Sequence, residues 1–395
     1  MTKGKRLKLK PMGKIPTARN SQSQPRIAIA HEFLTRMGGA ERVVKVISEM
    51  YPQARIFTLL YEEEKVGAEF SPLKIETSSL QNFPKFIRKH PKLLLPFIRS
   101  AVEAWDFSDY DIVITSSSAW MQGIIVPLKT RQICYCHSPA RFLWDYSHEY
   151  LRENKIGGIK KWILGSLLRE LRVWSQLSAK RVNRFIANSK TVAERIRKYY
   201  RSESEIIYPP VEVEKIRMSN HHENYFLVVS QLTQYKRIDL AISVFNKLRR
   251  RLVIVGDGPQ RDYLQRISGK TIEFHGWRSN EEVAELLRNC RGFIFPGEDD
   301  FGIAPVEAMA AGKPVLAFGR GGAVETVIPR QTGILFSAQT PESLEDGLAR
   351  LLANEKKFQP AQIRAQAKKF SRENFESALR KVVKEEWEIL QKELK

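Results

Sequence analysis

Short apolar runs of strand length recur along this chain with helical stretches between them, and the series occurs twice. The first set is Arg26-Ile-Ala-Ile-Ala-His31, Ala54-Arg-Ile-Phe-Thr-Leu-Leu60, Tyr110-Asp-Ile-Val-Ile-Thr115 and Arg131-Gln-Ile-Cys-Tyr-Cys136. After the Pro209-Pro210 break it restarts with Phe226-Leu-Val-Val-Ser230, Leu252-Val-Ile-Val-Gly256, Ile272-Glu-Phe-His-Gly276, Phe293-Ile-Phe-Pro296 and Pro314-Val-Leu-Ala-Phe318. Strands alternating with helices specify parallel sheets covered on both faces. The expected fold class is therefore α/β, with two doubly wound, Rossmann-like domains over residues 26–207 and 208–371. The basic, polar stretch 1–25 lacks apolar periodicity and reads as a disordered tail. Open parallel sheets bind ligands beyond the carboxyl ends of their strands, so the segments that follow these runs are where chemistry is expected.

One such segment is Gly297-Glu-Asp-Asp-Phe-Gly-Ile-Ala-Pro-Val-Glu307, which leads into a small-residue helix starting near Ala304. Asp299 and Glu307 lie eight positions apart, one before the turn and one inside the helix. Between them the backbone N–H groups of Phe301, Gly302 and Ile303 can point out of a helix N-terminus, a natural anion site. Carboxylates accept hydrogen bonds from sugar hydroxyls. The combination suits a sugar joined to a phosphate. A second segment, Ser230-Gln-Leu-Thr-Gln-Tyr-Lys236-Arg237, places two cations after a strand.

These two segments, with Phe185-Ile-Ala-Asn188, Ser189-Lys-Thr-Val-Ala-Glu-Arg195, Ile254-Val-Gly-Asp-Gly-Pro259 and Gly321-Gly-Ala-Val-Glu325, resemble the retaining family 4 glycosyltransferases over residues 26 to 380. The wording of Cys136-His-Ser-Pro-Ala-Arg-Phe-Leu-Trp-Asp145 and of the Asp299–Glu307 segment is most similar to bacterial mannosyltransferases of surface-polysaccharide synthesis. The resemblance implies the GT-B architecture, two Rossmann-like domains facing across a cleft, with a C-terminal helix (372–395) crossing back to the first domain. It implies that Asp299 and the amides after it hold the donor sugar, that Glu307 binds the nucleotide ribose, and that Lys236 reaches the diphosphate. Gln231 stands where the family usually has Arg and Asp299 where it has Glu; Arg237 could compensate for the missing cation. Gly256 belongs to the same donor side. Gly38 and Gly39 open a helix after the first strand without forming G-x-G-x-x-G, and in similar enzymes this loop approaches the donor phosphate. His137 matches a His that touches the donor sugar, and Trp277 lies in the region bordering the nucleotide base. Arg141 and Asp145, on the acceptor side, read most simply as an ion pair at a helix start.

No Asp-x-Asp metal signature is recognised, so the expected chemistry uses neither metal nor cofactor. Lys236, Arg237 and helix-end amides would stabilise the leaving nucleoside diphosphate, and the acceptor hydroxyl would attack on the leaving-group face. The expected donor is GDP-mannose, with a UDP-sugar as alternative. A non-catalytic nucleotide-sugar or glycan-binding protein is the reading from another class.

Residues 1–200 hold 35 Lys and Arg against 17 Asp and Glu, so most of the net charge of +21 sits in the first half. That field favours anionic partners. Pro84–Arg99 and the helical stretch 159–174 mix bases with apolar residues, as an interfacial helix on anionic lipid would. The acceptor is accordingly expected to be a glycan or a lipid-linked molecule. The charge comes without a nucleic-acid-binding motif, which argues against nucleic acid. No run approaches the ~18 apolar residues of a membrane span, and the start lacks an apolar signal core. Cys134, Cys136 and Cys290 suggest no disulfide framework. The expected location is cytoplasmic, peripheral on the inner face of the membrane.

Overall fold

The computed structural model describes residues 24–70, 73–147 and 158–395. The expected basic tail falls outside these apart from its last two positions. Among the described residues the chain forms two parallel sheets. The first contains β1 (Ile27–Leu34), β2 (Arg55–Tyr61), β3 (Ile75–Thr77), β4 (Ile112–Ser117), β5 (Arg131–Cys136), β6 (Arg184–Ala187) and β7 (Ser204–Ile206), in the order β3-β2-β1-β4-β5-β6-β7. The second contains β8 (Phe226–Val229), β9 (Leu252–Val255), β10 (Ile272–Gly276), β11 (Gly292–Phe295), β12 (Val315–Phe318) and β13 (Gly333–Phe336), in the order β10-β9-β8-β11-β12-β13.

Strand periodicity explains how one run feeds two cores. Side chains alternate faces along a strand. Ala28, Ala30, Phe57 and Val113 enter one apolar cluster, while Ile29, Ile56, Ile112 and Ile114 enter another on the opposite face. Each face is sealed by helices, Pro91–Val102 and Gly158–Ala179 on the first and Gly39–Met50 on the second. The strands not anticipated from sequence, β3, β6, β7 and β13, are only three or four residues long. β3 and β7, three residues of mixed polarity, are strands because a neighbour supplies a partner edge; β6 and β13 carry short apolar runs, Phe185-Ile-Ala187 and Ile334-Leu-Phe336, like those of the anticipated strands.

The chain crosses between the sheets twice. At one crossing Val211 N donates to Phe370 O at 3.0 Å, and Arg372 N donates back to Val211 O at 3.2 Å, so the two crossing segments lie side by side. Beyond the second crossing, the helix Arg372–Glu393 packs Phe375, Leu379, Val382 and Val383 into the core under the first sheet. Arg131 in β5 fixes it, with Nε 2.5 Å from Glu386 and Nη1 2.8 Å from Glu393. Among the described residues no helix is long and apolar enough to cross a membrane.

Each sheet reverses its strand order at one interior pair, β1/β4 in the first and β8/β11 in the second. Such switch points leave a crevice between loops that depart to opposite faces. The loops leaving β1, β8 and β11 are those that carry Gly38-Gly39, Gln231–Arg237 and Gly297–Ile303.

Candidate active site

In the second domain, the chain leaving β8 makes a tight turn at Gln234–Lys236, followed by Arg237 in the left-handed region at φ 50°. The chain leaving β11 reaches the helix Ile303–Ala310 through Gly302, at φ 86°. An L side chain rarely adopts that conformation, which is the physical reason for glycine there. The turns bring Lys236 and Asp299 together as an ion pair in which each side chain is about five-sixths buried. Burial works against the Lys236 charge, but the neighbouring Asp299 outweighs it and the ammonium pKa is raised. Gly322 N donates to Asp299 O at 2.8 Å and fixes the loop from behind. Phe301 is buried against Tyr208 and Phe370, with ring centroids 5.7 and 5.5 Å away, so it offers the cleft its backbone rather than its ring. Gly256 serves packing: at φ 128°, a Cβ there would stand 1.9 Å from Ser230 O at the end of β8. Gln231 and Trp277 are exposed.

In the first domain, Gly38 precedes the helix Gly39–Met50, and its N–H donates to Glu41 Oε2 at 3.0 Å. Glu41 Oε1 stands 3.8 Å from Nε2 of the buried His31. The other nitrogen, His31 Nδ1, lies 3.1 Å from Ser116 Oγ, which in turn lies 2.8 Å from His137 Nε2. Burial opposes a charge on His31, but the contact with Glu41 and the charges of Glu41 and Glu32 prevail and raise its pKa. Burial, with His31 nearby, pushes His137 down to about 3. His31 Nδ1 also lies 3.2 Å from the Ser116 carbonyl, which only an Nδ1–H can satisfy; when that N–H is given to Ser116 Oγ, the hydroxyl is directed onward to His137 Nε2 and the proton of a neutral His137 falls on Nδ1. Glu32 shapes the loop after β4: its Oε1 accepts from Ser118 N, Ala119 N and Trp120 N, each at 2.9 Å.

The halves meet through polar contacts. Arg42 Nη1 donates to Glu307 Oε1 at 2.7 Å and Nη2 to Asn280 Oδ1 at 3.0 Å. Arg195 donates to Ser138 Oγ at 3.3 Å and pairs with Asp145 at 3.1 Å on its own domain; across the cleft it pairs with Asp300. Glu325 accepts from Lys190 N at 2.9 Å, capping a first-domain helix. Ile303 reaches Gly39 closely enough that a Cβ there would lie 3.4 Å from its Cδ1.

Three expectations need correction. Arg141 and Asp145 do not pair with each other: Asp145 is taken by Arg195, and the Arg141 guanidinium lies 5.8 Å over the Tyr146 ring. Arg237 turns its guanidinium to Asp239 through two 3.2 Å bonds, so in this arrangement its charge is already matched. An Asp-x-Asp does occur, Asp109-Tyr-Asp111, but away from the cleft, before β4, where Asp111 accepts from Arg26. Arg42, Arg195, His31 and Glu32 were not singled out from sequence. Arg42 sits one turn beyond Gly38-Gly39, which is the only local signal it carries.

Beside the ion pair opens a cleft of about 690 Å³, with Arg141 and Tyr146 on one wall and Tyr235, Arg237, Gln260 and Glu298 on the other. Two family descriptions match successive parts of the chain: Glycosyltransferase Family 4 over residues 37–215 and Glycosyl transferases group 1 over residues 212–370. The chain belongs to the family 4 glycosyltransferases. An alpha-1,3/1,6-mannosyltransferase of Dictyostelium discoideum is 22% identical over 78% of this chain and 85% of its own length. An uncharacterized glycosyltransferase of Methanocaldococcus jannaschii is 29% identical over 51% of this chain, which thus spans 60% of that relative's length. An Anabaena structure in complex with UDP-glucose superimposes with a TM-score of 0.66 at 18% identity, covering 92% of this chain and all of that one. Sucrose-phosphate synthase from Thermosynechococcus elongatus gives 0.68 at 16% identity, covering 91% and 99%. These likenesses establish the GT-B fold for this family 4 chain.

Proposed function

We propose that this glycosyltransferase moves a hexose from a nucleoside diphosphate, with retention and without metal, to a glycan or lipid-linked acceptor. The carrying observation is the Lys236–Asp299 pair at the β8/β11 switch point, in the segment that leads eight residues on to Glu307 and its contact with Arg42 of the first domain. An arriving diphosphate exchanges with Asp299 for the Lys236 ammonium, assisted by the free amides that begin the helix Ile303–Ala310. Asp299, released, accepts from a sugar hydroxyl. Glu307 accepts from the ribose hydroxyls in place of Arg42. His137, neutral at ordinary pH, offers Nδ1–H to an oxygen of the sugar. The acceptor hydroxyl attacks the anomeric carbon on the leaving-group face and passes its proton to a donor phosphate oxygen. Catalysis is then mostly positioning and electrostatics, and closure of the two domains excludes water.

GDP-mannose is the proposed donor, supported by the mannosyltransferase relatives. A UDP-sugar is the alternative, given the Anabaena neighbour. A cytoplasmic protein resting on the inner face of an anionic membrane fits the outward Phe86, Leu93 and Phe97, which are 65%, 54% and 47% exposed beside Lys85, Lys89 and Arg99. The departures at Gln231 and Asp299 keep a non-catalytic nucleotide-sugar-binding protein as the rival. The test is a thermal-shift panel of GDP-mannose, UDP-glucose, UDP-GlcNAc and GDP-fucose, followed by hydrolysis in excess EDTA. Selective stabilisation by GDP-mannose with EDTA-insensitive GDP release is the expected result. Selectivity for another donor replaces the sugar, stabilisation without turnover favours the rival, and abolition by EDTA overturns the metal-free mechanism.

A further inference from the structure

The 690 Å³ cleft lies beside the Lys236–Asp299 pair and is built from the residues that flank it in the chain: Tyr235 and Arg237 on either side of Lys236, and Glu298 before Asp299. Glu307, Arg42 and Asn280 do not line it, so it is separate from the proposed nucleoside end. Two of its aromatic rings are open, Tyr235 at 39% and Tyr263 at 44% exposure. Gln260, Arg141 and Glu298 set planar hydrogen-bonding groups around them. A pyranose presents an apolar C–H face and a rim of hydroxyls, and this lining matches both.

Charge selects among ligands. Arg237 is matched by Asp239 and Arg141 shares the lining with Glu298, so the lining is balanced among the described residues. A second cavity, of about 320 Å³ in the first domain, differs: Arg36, Lys65, Arg88 and Lys89 outnumber Glu41 and Glu62. An anionic group is drawn to that cavity, and an uncharged one meets no electrostatic preference against the larger cleft. In the larger cleft the buried Thr233 Oγ1 and Arg141 Nε have no hydrogen-bond partner among the described residues. Buried polar atoms of this kind are normally satisfied, and both are closed off from solvent, so a ligand hydroxyl reaches them only if the lining shifts on binding.

We infer that this cleft binds a neutral oligosaccharide portion of the acceptor, seating rings beyond the one that receives the new sugar. The inference rests on the transferase reading above. Its test titrates mannotriose, maltotriose and cellotriose at millimolar concentrations into the full-length protein, wild type, Tyr263→Ala and Gln260→Ala, by ligand-observed NMR and calorimetry. At least one trisaccharide is expected to bind wild type, and Tyr263→Ala to weaken it about 5-fold or more, the scale of one lost aromatic contact. Nucleotide-sugar thermal shift and donor hydrolysis stay within about 2-fold of wild type in both variants, since a surface substitution away from the donor groups changes little. Binding of none of the three sugars, or binding indifferent to Tyr263→Ala and Gln260→Ala, overturns the inference. Failure of the nucleotide-sugar shift in wild type overturns the transferase reading instead, so the two failures are distinct.

Discussion

The two walls of the cleft are built on different principles. On the second-domain side, the candidate groups are charged and satisfied in pairs, which the proposed donor would exchange: Lys236 with Asp299, and Glu307 with Arg42. On the first-domain side, His137 is set by a buried relay, Glu41 to His31 to Ser116, whose members need not move for a ligand to arrive. The contrast separates two tasks. On the proposed reading, exchangeable pairs keep costly charges partnered until a donor replaces one member. A fixed relay holds one ring nitrogen in one protonation state.

Breaking the exchangeable side should cost most. Lys236→Ala removes the proposed diphosphate cation and strands Asp299, so kcat/KM should fall about 100-fold or more. The same variant should lower the Tm by several degrees, since a mostly buried carboxylate loses its partner. Activity kinetics and thermal melts check both; retention of near-normal kcat/KM would remove Lys236 from the site. On the fixed side Ser116→Ala cuts the relay while leaving His137 in place. A kcat loss of about 10-fold with donor KM little changed is expected, and an equal loss in kcat/KM through KM alone would show that the relay is only structural.

Acid provides a third comparison. The folded pKa of His137, about 3, lies below its ordinary value of 6.5, so His137 contributes stability above pH 6.5 that is lost as pH falls toward 3. His31 is shifted the other way: its contribution is present below pH 6.5 and lost as pH rises through its raised folded value. His137→Gln should therefore flatten the acid limb of Tm against pH, and His31→Gln the alkaline one, in melts taken from pH 4 to 9. The kcat profile should show no limb near pH 6.5 from His137. The smallest effect is expected for Arg42→Ala, which frees Glu307. With Arg42 partly exposed the pair is worth at most about 1 kcal/mol, so nucleotide Kd should tighten by up to about 5-fold in calorimetry. Weaker binding would mean that Arg42 joins Glu307 on the nucleotide.

The same contrast explains what the sequence reveals. Lys236, Asp299 and Glu307 occur in segments that directly follow the apolar runs of β8 and β11, so their order alone places them beside one switch point. His31 and Ser116 lie 85 residues apart and meet because β1 and β4 pair in register. Nothing near either residue announces the other. Arg195 likewise reads as one more base on a helix, and its role follows only from Asp145 and Asp300 reaching it from two domains. The strands that escaped notice, β3 and β7 above all, are edges of three residues, too short for periodicity to register.

The paired crossing at Val211 and Phe370 has a consequence for how the enzyme moves. One covalent link between bodies permits swivelling in any direction. Two links hydrogen-bonded side by side act as a strap hinge, stiff to twist and compliant to bending about a single axis. Such a strap predicts that the cleft opens and shuts along one coordinate, with each charged contact across it parting in an order set by its distance from that axis. Distances between spin labels on the two domains should spread along one direction when nucleotide is removed; an isotropic spread would show that the strap does not constrain the motion.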